Sequence, residues 1–392
     1  MYHIEIFRSI CYSRCVIPYS TQDISEADIR AVVKTLKSGW LTQGPAVERF
    51  EKALAKAAGT KYAVAVNSGT AALHAAYFAA GVTKGDEVIV PALTFAATGN
   101  AALYLGAKPV FADVDSKTGN MSVADARKKI TKKTKAIVPV DYAGRPADLA
   151  AFAKLARKHK MVLISDAAQS LGATYRGKPA GSFADMSIYS FHPVKSITTG
   201  EGGAVVTDNP EYARLVKLFR THGITKDAVH LKNKKEGGWY MEQHALGYNY
   251  RMPDINAALG ESQLKRLKSF ITKRRAAAKR YDALLKNIPG LLLPPQDSAR
   301  SKSAWHLYPV RVDAAKRRAV FDYLRAHGVG VQVHHIPVHT HPHYQKLGHK
   351  KGSCPKAELF YATAISIPLF AKITPEQQIR VVRTLKLALA AI

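Results

Sequence analysis

The sequence predicts an α/β fold with a mainly parallel sheet, followed by a smaller α+β unit at the C-terminus. From about residue 60 to 210, short β-branched runs alternate with alanine-rich runs of helical length. This alternation is typical of parallel strands joined by crossover helices, which cover both faces of the sheet. With 392 residues, the chain is also long enough for two domains.

Each element of the predicted sheet is a short apolar run. The seven candidate strands cover residues 63–66, 87–90, 109–111, 136–140, 161–165, 186–189 and 204–206. Helix-like segments lie between them at 70–80, 97–105, 122–130 and 148–158. Parallel sheets bind ligands beyond the carboxyl ends of their strands, where Asn67, Asp166 and the loop carrying Lys195 are expected.

The second half of the chain changes in character. Residues 225–242 are polar and contain glycine, so they predict a surface loop, whereas 253–286 predict long helices. Mixed strand and helix patterns then lead to a closing helix that starts at Pro375. We therefore predict an N-terminal extension over 1–16, expected to be disordered, a large domain over 17–265 and a small domain over 266–392.

Composition narrows the class of protein. No apolar stretch approaches the roughly 20 residues of a transmembrane helix, and residues 1–15 lack the apolar core of a secretory signal. The cysteines Cys11, Cys15 and Cys354 form no disulfide framework in a chain this long. These features predict a cytoplasmic protein with no membrane association.

The net charge of +29 raises the alternative of a nucleic-acid-binding protein. The basic residues are spread along the chain in short clusters, and no zinc finger, basic zipper or RNA-stacking motif is recognisable. We therefore predict a solvated basic surface and no nucleic-acid partner. A nucleic-acid-binding protein that has kept an enzyme fold stays open as the competing hypothesis, and tight, salt-dependent binding would distinguish it.

Two residues suggest a cofactor. Lys195 follows the candidate strand 186–189, and Asp166 ends the candidate strand 161–165. Pyridoxal phosphate needs an amine that forms a Schiff base and an anion that keeps its pyridine nitrogen protonated. Taken alone, Asp166 would be read as a helix cap, but Lys195 makes the cofactor role the better interpretation.

Residues near these two fit the same cofactor. Ser68, Gly69 and Thr70 begin a helix, where free N–H groups and hydroxyls can hold a phosphate. An ordinary N-cap is the alternative for each of them alone. Phe95 could stack on a cofactor ring or pack in the core, and Gln169 could reach the ring hydroxyl.

A histidine-rich run covers residues 334–343. His335 and His339 have i,i+4 spacing, but Pro337 lies between them and disfavours one helix presenting both. No H-E-x-x-H motif or cysteine-rich partner accompanies them. We therefore predict no metal site and interpret the run as a polar loop lining a ligand site.

Together these residues make the chain, from about residue 19 onward, resemble the DegT/DnrJ/StrS sugar aminotransferases, which are fold-type I pyridoxal-phosphate enzymes. The matching motifs span residues 39–45, 67–73, 166–170, 190–195, 220–223 and 247–252. The resemblance implies a fold-type I transferase with a seven-stranded, mainly parallel sheet in its large domain. It also implies a homodimer with shared active sites.

The resemblance assigns roles by position. Lys195 and Asp166 would be the catalytic residues, and the cofactor contacts would be Ser68, Gly69, Thr70, Phe95, Asp166, Gln169, Ser190, Lys195 and, from the neighbouring subunit, Asn249. Nucleotide-sugar contacts would be Tyr19, Gly39, Trp40, Leu41, Thr42, Gln332, Val333, His334 and His335. The residue that binds the carboxylates of glutamate stays open, with Arg251 as a candidate.

Residues 140–144, 197–203 and 332–338 look most similar to the pseudaminic-acid branch of the family. That similarity implies transfer of an amino group from L-glutamate to C4 of a UDP-linked 4-keto-6-deoxy-N-acetylhexosamine. Action on a dTDP-sugar or a UDP-4-keto-pentose is the alternative within the class. An idle regulator with bound cofactor is disfavoured, because every type of residue that contacts the cofactor is present.

Overall fold

The computed structural model describes residues 16–392, and its central feature is a seven-stranded sheet. The strands are β1 (Tyr62–Val66), β2 (Glu87–Pro91), β3 (Lys108–Ala112), β4 (Thr134–Ile137), β5 (Val162–Asp166), β8 (Met186–Ser190) and β9 (Gly203–Thr207). Their order is β1-β9-β8-β5-β4-β2-β3. Only β9 runs antiparallel to its neighbours within this sheet. The predicted fold class is confirmed.

The structure contains the predicted crossover, central and closing helices, together with others that the sequence analysis did not predict. The helices of the first part of the chain are α1 (Glu26–Leu36), α2 (Pro45–Ala58), α3 (Gly69–Ala79), α4 (Ala96–Tyr104), α5 (Val123–Lys128), α6 (Leu149–His159) and α7 (Pro210–Arg220), and among them α1, α2 and α7 were not predicted. The later ones are α8 (Asp254–Leu264), α9 (Leu267–Leu285), α10 (Arg317–Ala326), α11 (Pro342–Lys346), α12 (Pro355–Thr363) and α13 (Pro375–Ala391). Short 3₁₀ helices cover Tyr142–Gly144, Ala180–Ser182 and Val338–Thr340.

Three small sheets complete the architecture of residues 16–392. Strands β6 (Thr174–Tyr175), β7 (Lys178–Pro179) and β12 (Ser301–Lys302) form one of them. Strands β10 (Ile224–Thr225) and β11 (Glu242–Gln243) pair at the base of the predicted surface loop, while β13 (Tyr308–Arg311) pairs with β14 (Ala364–Ile367). Among residues 16–392, no helix combines the length and apolar character needed to cross a membrane.

The central sheet is buried on both faces, which explains its unbroken apolar strands. Because side chains alternate along a strand, Val64 and Val66 contact one core with α3, α4 and α7. Ala63 and Ala65 contact a second core with α2, α6 and α8 on the opposite face. The sheet therefore holds the carboxyl ends of its parallel strands at one edge between two packed layers.

A third core joins the C-terminal elements. It gathers residues of α9, β13, α10, β14 and α13, together with Ile17. Val338, Tyr344 and Phe360 instead pack in the core that faces α3 and α4, although they lie late in the chain. The division into 17–265 and 266–392 stays a prediction, and the predicted extension over 1–16 lies outside the described residues except for Val16.

The element boundaries differ from prediction by a few residues. Strand β4 ends at Ile137, where the sequence suggested 140, because Pro139 offers no N–H for a further ladder bond. Helix α3 starts at Gly69, one residue earlier than predicted, since Ser68 caps it. The closing helix begins at Pro375, as predicted.

Candidate active site

Lys195 and Asp166 lie beyond neighbouring strands of the central sheet. Asp166 is the last residue of β5 and pairs in parallel register with Ile188 of β8. The chain then leaves β8 in a compact loop that folds back on Phe191, whose carbonyl accepts the Thr199 N–H at 3.0 Å. The loop holds Lys195 at the carboxyl edge of the sheet, beside Asp166.

The two groups share a poorly solvated environment. Burial lowers the pKa of the Lys195 ammonium to about 8, and the nearby Asp166 carboxylate partly opposes that shift. Burial also raises the pKa of Asp166. Hydrogen bonds from the Thr98 hydroxyl and the Ala168 N–H, together with the charge of Lys195, partly oppose that rise. A neutral amine is therefore accessible near neutral pH, and the buried carboxylate would be stabilised by a further cation.

Asp166 is held by a threonine that the sequence analysis did not single out. Thr98 of α4 donates from Oγ1 to Asp166 Oδ2 at 2.8 Å. Thr94 Oγ1 lies 2.8 Å from Thr98 Oγ1, and both threonines are buried. The only sequence signal was their position at a strand-to-helix turn beside Phe95.

The residues predicted to bind the phosphate lie close together around Gly203. In the sheet register Gly203 pairs with Val66 on one side and Ser190 on the other, so Ser190 lies beside the start of α3. A Cβ on Gly203 would lie 2.7 Å from Gly69 N, and one on Gly69 would lie 2.9 Å from Ser190 Cβ. Only glycines leave room for this close approach.

Ser68 caps helix α3, and its role as a phosphate ligand stays a prediction. Its Oγ accepts the Ala71 N–H at 3.0 Å, which makes it the N-cap of α3. The hydroxyl proton is still free to be donated, and the first N–H groups of a helix, here those of Gly69 and Thr70, have no intrahelical acceptor. The capped helix start thus retains donors for an anion.

Hydrogen bonds between residues 141–143 and residues 169–170 fix the position of Gln169. Its Oε1 accepts the Ala143 N–H at 2.8 Å, and Ser170 Oγ donates to Asp141 Oδ2 at 2.6 Å. The Asp141 N–H in turn donates to the Asp166 carbonyl at 3.1 Å. Because Oε1 is occupied, the Gln169 Nε2 amide, which has no acceptor within residues 16–392, is the group left to donate.

Phe95, His335, His334 and Tyr19 form a connected wall. The Phe95 ring is 63% exposed, so it is not a core residue, and it lies edge-on to His335 with centroids 6.0 Å apart. His334 lies 5.7 Å from the Tyr19 ring and contacts Ser366 Oγ through Nδ1 at 2.9 Å. Burial, followed by the charge of Lys195, lowers the pKa of His334 to about 4.

His306 joins this group and was missed by the sequence analysis. It is buried, and its Nδ1 has no hydrogen-bond partner among the described residues. Burial, followed by the charge of Lys195, lowers its pKa well below the usual histidine value. Burial, followed by the charges of His334 and Lys195, also lowers the pKa of His335 well below the usual histidine value, and its buried Nε2 has no hydrogen-bond partner in the part of the chain that the structure describes. The imidazoles near Lys195 are therefore neutral.

The histidine run is divided between two places. His339 is fully buried away from the wall, where Nε2 contacts Glu358 Oε1 at 2.8 Å. Across the part of the chain that the structure describes, no group of three or more His, Cys, Asp or Glu side chains is placed to hold a metal ion. Gln332 is exposed and Val333 half-buried beside His334.

Other predicted residues lie apart from Lys195. The exposed turn of Gly39, Trp40, Leu41 and Thr42 is held at the start of α8, where Leu41 O accepts the Asp254 N–H at 3.0 Å. Asn249 is exposed, and among residues 16–392 its one hydrogen bond joins its backbone carbonyl to Asn67 Nδ2 at 3.5 Å. Arg251 borders a recess with Arg220 and Glu51. Within residues 16–392, no hydrogen bond links these residues to Lys195 or Asp166.

The residues that do meet at this edge fit pyridoxal phosphate. A buried carboxylate matches a cationic pyridine nitrogen, and an amine with a lowered pKa matches an aldehyde. The close approach of Gly69, Ser190 and Gly203 places the Ser190 hydroxyl beside the start of α3, where free N–H groups can hold a phosphate. The arrangement can hold such a cofactor by both ends of its ring system.

Comparisons with known proteins agree with this chemistry. The model of the DegT/DnrJ/EryC1/StrS aminotransferase family matches residues 22–386. SpsC of Bacillus subtilis, a spore coat polysaccharide biosynthesis protein, is 40% identical over 367 residues, which cover 92% of this chain and 94% of SpsC.

Solved structures are similar over nearly the whole chain. PseC of Helicobacter pylori, an aminotransferase involved in the biosynthesis of pseudoaminic acid, is 34% identical with a TM-score of 0.90. The match covers 96% of this chain and 100% of PseC. The PMP-form of Spr1654 from Streptococcus pneumoniae is 32% identical with a TM-score of 0.90, covering 96% of this chain and 98% of that one. The PLP-form of Spr1654 is also 32% identical, with a TM-score of 0.89, and the match covers 96% of this chain and 99% of that one.

Proposed function

Because the chain belongs to the DegT/DnrJ/EryC1/StrS aminotransferase family, whose enzymes use pyridoxal phosphate, we propose that it aminates C4 of a UDP-linked 4-keto-6-deoxy-N-acetylhexosamine. L-Glutamate is the donor and leaves as 2-oxoglutarate. The product would be UDP-4-amino-4,6-dideoxy-N-acetyl-β-L-altrosamine, an intermediate of pseudaminic acid biosynthesis. Cytoplasmic location is part of this proposal, since nucleotide sugars are made there.

The observation that carries the proposal is the burial of an amine beside a carboxylate at the ligand-binding edge of the sheet. Lys195 follows β8, and Asp166 ends the adjacent parallel strand β5. Burial disfavours the charged form of each group, and their mutual attraction only partly opposes that cost. A cofactor that uses the amine as a nucleophile and the carboxylate as a counter-ion would explain why both lie here.

In this reaction the bound cofactor supplies an aldehyde that takes up the amino group and a cationic ring that withdraws electrons from the reacting carbon. Lys195 Nζ would accept the proton from the α-carbon of glutamate and pass it to the cofactor. In the second half-reaction the same amine would take a proton back from the cofactor and deliver it to C4 of the sugar. A pKa of about 8 leaves a useful neutral fraction of this amine at physiological pH.

The remaining site residues would position the cofactor. Asp166 would face the pyridine nitrogen, Gln169 would donate to the ring hydroxyl, and Phe95 would lie against the ring. Ser68, Gly69, Thr70 and Ser190 would hold the phosphate. Asn249, whose side chain is exposed, would reach the phosphate in the neighbouring subunit of a homodimer.

The sugar nucleotide would lie along the wall of Tyr19, Gln332, Val333, His334 and His335. Neutral imidazoles can donate to or accept from sugar hydroxyl and acetamido groups. The exposed turn of Gly39, Trp40, Leu41 and Thr42 would contact the nucleotide across the dimer, since it lies apart from Lys195 in its own chain. Similarity to PseC supports the choice of substrate.

A second candidate is a related nucleotide-sugar aminotransferase with another acceptor. The similarity to SpsC, a protein of spore coat polysaccharide biosynthesis, favours keeping it. In that case the same Lys195 chemistry would act on a dTDP-sugar or a UDP-4-keto-pentose. The wall that contacts the sugar would then differ in what it recognises.

A spectroscopic assay tests the proposal. L-Glutamate should bleach the visible absorption of the purified holoenzyme, and the UDP-4-keto sugar should restore it, with NMR identifying the new amine at C4. Initial rates on UDP and dTDP keto sugars separate the two candidates. The Lys195→Ala variant should lose both the band and turnover, and full activity in that variant would rule out the assignment.

A further inference from the structure

The carboxylate of Asp166 accepts a hydrogen bond from Thr98, whose hydroxyl in turn contacts that of Thr94. We infer that Thr98 is a positioning residue for the carboxylate that faces the cofactor ring, and that Thr94 orients the Thr98 hydroxyl. The bonds are Thr98 Oγ1 to Asp166 Oδ2 and Thr94 Oγ1 to Thr98 Oγ1, both 2.8 Å. The inference rests on the role proposed above for Asp166.

The direction of this hydrogen-bond chain follows from its end. An ionised carboxylate can only accept, so the Thr98 hydroxyl must donate to Asp166. The Thr98 oxygen is then available as an acceptor, and Thr94 donates to it. A single arrangement of both protons satisfies the chain, and it points one donor at the carboxylate.

The backbone of Thr98 is anchored on both sides, which limits movement of its hydroxyl. The Thr98 carbonyl accepts a hydrogen bond from the hydroxyl of the fully buried Tyr77 at 2.9 Å, and the Thr98 N–H donates to the Phe95 carbonyl at 3.2 Å. Thr94 is 2% exposed and Thr98 is 1% exposed, so water does not replace either hydroxyl. The donor is fixed by packing as well as by hydrogen bonds.

The first turn of α4 carries two groups that would act on the cofactor ring. Phe95 is the N-cap residue of α4 and projects an exposed ring toward His335, while Thr98 lies in the first turn of the same helix. The start of α4 thus carries both the aromatic side chain expected against the ring and the donor that orients the carboxylate. A shift of this turn would disturb both contacts together.

The physical effect is on the charge state of the carboxyl. A hydrogen bond donated to a carboxylate favours its ionised form, whereas burial favours the neutral acid. Without the Thr98 hydroxyl, a larger fraction of Asp166 would be protonated. A neutral acid attracts a cationic pyridine nitrogen much less than a carboxylate does.

The test compares Thr98→Val, which removes the hydroxyl at similar volume, with Thr98→Ser, which retains it. Pyridoxal phosphate is titrated into each apoprotein, and the dissociation constant is measured from the visible band. A hydrogen bond to a charged group predicts about ten- to a hundred-fold weaker binding for Thr98→Val. Thr98→Ser should stay within about three-fold of the unmodified protein.

A second readout separates positioning from packing. The melting temperature of each apoprotein reports stability, and the pH dependence of the bound-cofactor band reports the ring environment. Thr94→Val should weaken binding by about three- to ten-fold, because it removes the donor that orients the Thr98 hydroxyl, and the loss of this buried hydrogen bond should lower the melting temperature only slightly. It also serves as the test variant if Thr98→Val does not fold.

The outcomes are distinguishable. Equal binding and equal spectra for Thr98→Val would overturn the inference, and so would equal losses in Thr98→Val and Thr98→Ser. Asp166→Ala is measured beside them. If Asp166→Ala binds the cofactor normally, the proposed site is wrong; if it fails while both valine variants bind normally, only the threonine inference is wrong.

Discussion

At the scale of single residues, burial rather than residue type sets the chemistry of this site. Lys195 is one of 58 lysines and arginines, and what distinguishes it is a pKa lowered by burial to about 8. Asp141 is likewise distinguished from surface acids, because complete burial raises its pKa to about 7. Each shift leads to a measurable pH dependence.

The first prediction concerns capture of the cofactor by Lys195. The neutral amine is the nucleophile, so the rate at which pyridoxal phosphate added to apoprotein develops the visible band should rise with pH and reach half its plateau at about pH 8. Stopped-flow absorbance measures this rate. An ordinary lysine would place the midpoint near about pH 10.4, and that result would contradict the prediction.

The second prediction concerns the pH dependence of stability. The pKa of Asp141 is about 7 in the fold and about 3.9 in the unfolded chain, so the unfolded state loses its proton first. Its contribution to stability is therefore complete below about pH 4 and is lost as the pH rises to about 7. Asp141→Asn removes this titration.

Between pH 5 and 8, we expect the free energy of unfolding of the unmodified apoprotein to fall by about 1–3 kcal/mol relative to that of the Asp141→Asn apoprotein. Urea unfolding at several pH values measures the difference. The variant also loses an acceptor for Ser170 or Ala147, which lowers its stability by a constant amount at every pH. A difference that does not change with pH would show that Asp141 is not titrating in this range.

At the scale of elements, the site depends on how closely β1, β9 and β8 approach. Gly203 pairs with both Val66 and Ser190, and an added Cβ would lie 2.5 Å from the Ser68 carbonyl carbon. The obstructing atoms belong to the backbone, which cannot rotate away. The strand register and the glycine at position 203 thus bring together the residues predicted to bind the phosphate.

The third prediction follows from this contact. Gly203→Ala should lower the free energy of unfolding by about 1–3 kcal/mol, because overpacking forces the start of α3 away from β9. Gly238→Ala is the matched control, since no atom lies within 4 Å of its added Cβ. Urea unfolding of both variants provides the comparison, and equal stability of the two would refute the proposed crowding.

At the scale of elements, the sequence predicted those features that depend on a local pattern of residues. The seven strands were predicted because each is a continuous apolar run, and α3 and α13 because each has a recognisable start. The contact of Thr98 with Asp166 joins residues 68 positions apart, and nothing in either segment indicates the other. The division of the histidine run was equally hidden, because His339 contacts Glu358 only in the folded chain.

At the scale of the whole molecule, the exposed Asn249 and the turn at residues 39–42 suggest an incomplete site in one chain. The fourth prediction uses the variants Lys195→Ala and Asn249→Ala, each of which should be inactive or weakly active. In a dimer with shared sites, a mixed dimer has one site with both native residues. Refolding an equal mixture should therefore restore about a quarter of the native activity, by random pairing in a symmetric dimer.

Activity of the mixture no greater than the mean of the two variants would contradict shared sites. Size-exclusion chromatography of the mixture checks that dimers form. A mixture prepared without unfolding is the matched control, because its subunits exchange less. The measurement uses initial rates with L-glutamate and the keto sugar.

The net charge of +29 belongs to this scale as well. The fifth prediction is that the protein shows no retention of DNA or RNA in filter binding at moderate salt, because scattered charges give only weak, screened attraction. Tight retention with a steep dependence on salt would instead favour the nucleic-acid hypothesis. The same titration with a neutral ligand-binding protein sets the background.

The strands of the central sheet, the family and the choice of Lys195 and Asp166 as candidate residues follow from the sequence alone, because each depends on consecutive residues whose spacing reflects local geometry. The tertiary structure decided which buried groups meet: Thr98 with Asp166, Ser170 with Asp141, and His306 with the surroundings of Lys195. Those contacts form only when distant segments pack and exclude water. The same exclusion of water gives the lysine and the carboxyl their unusual pKa values.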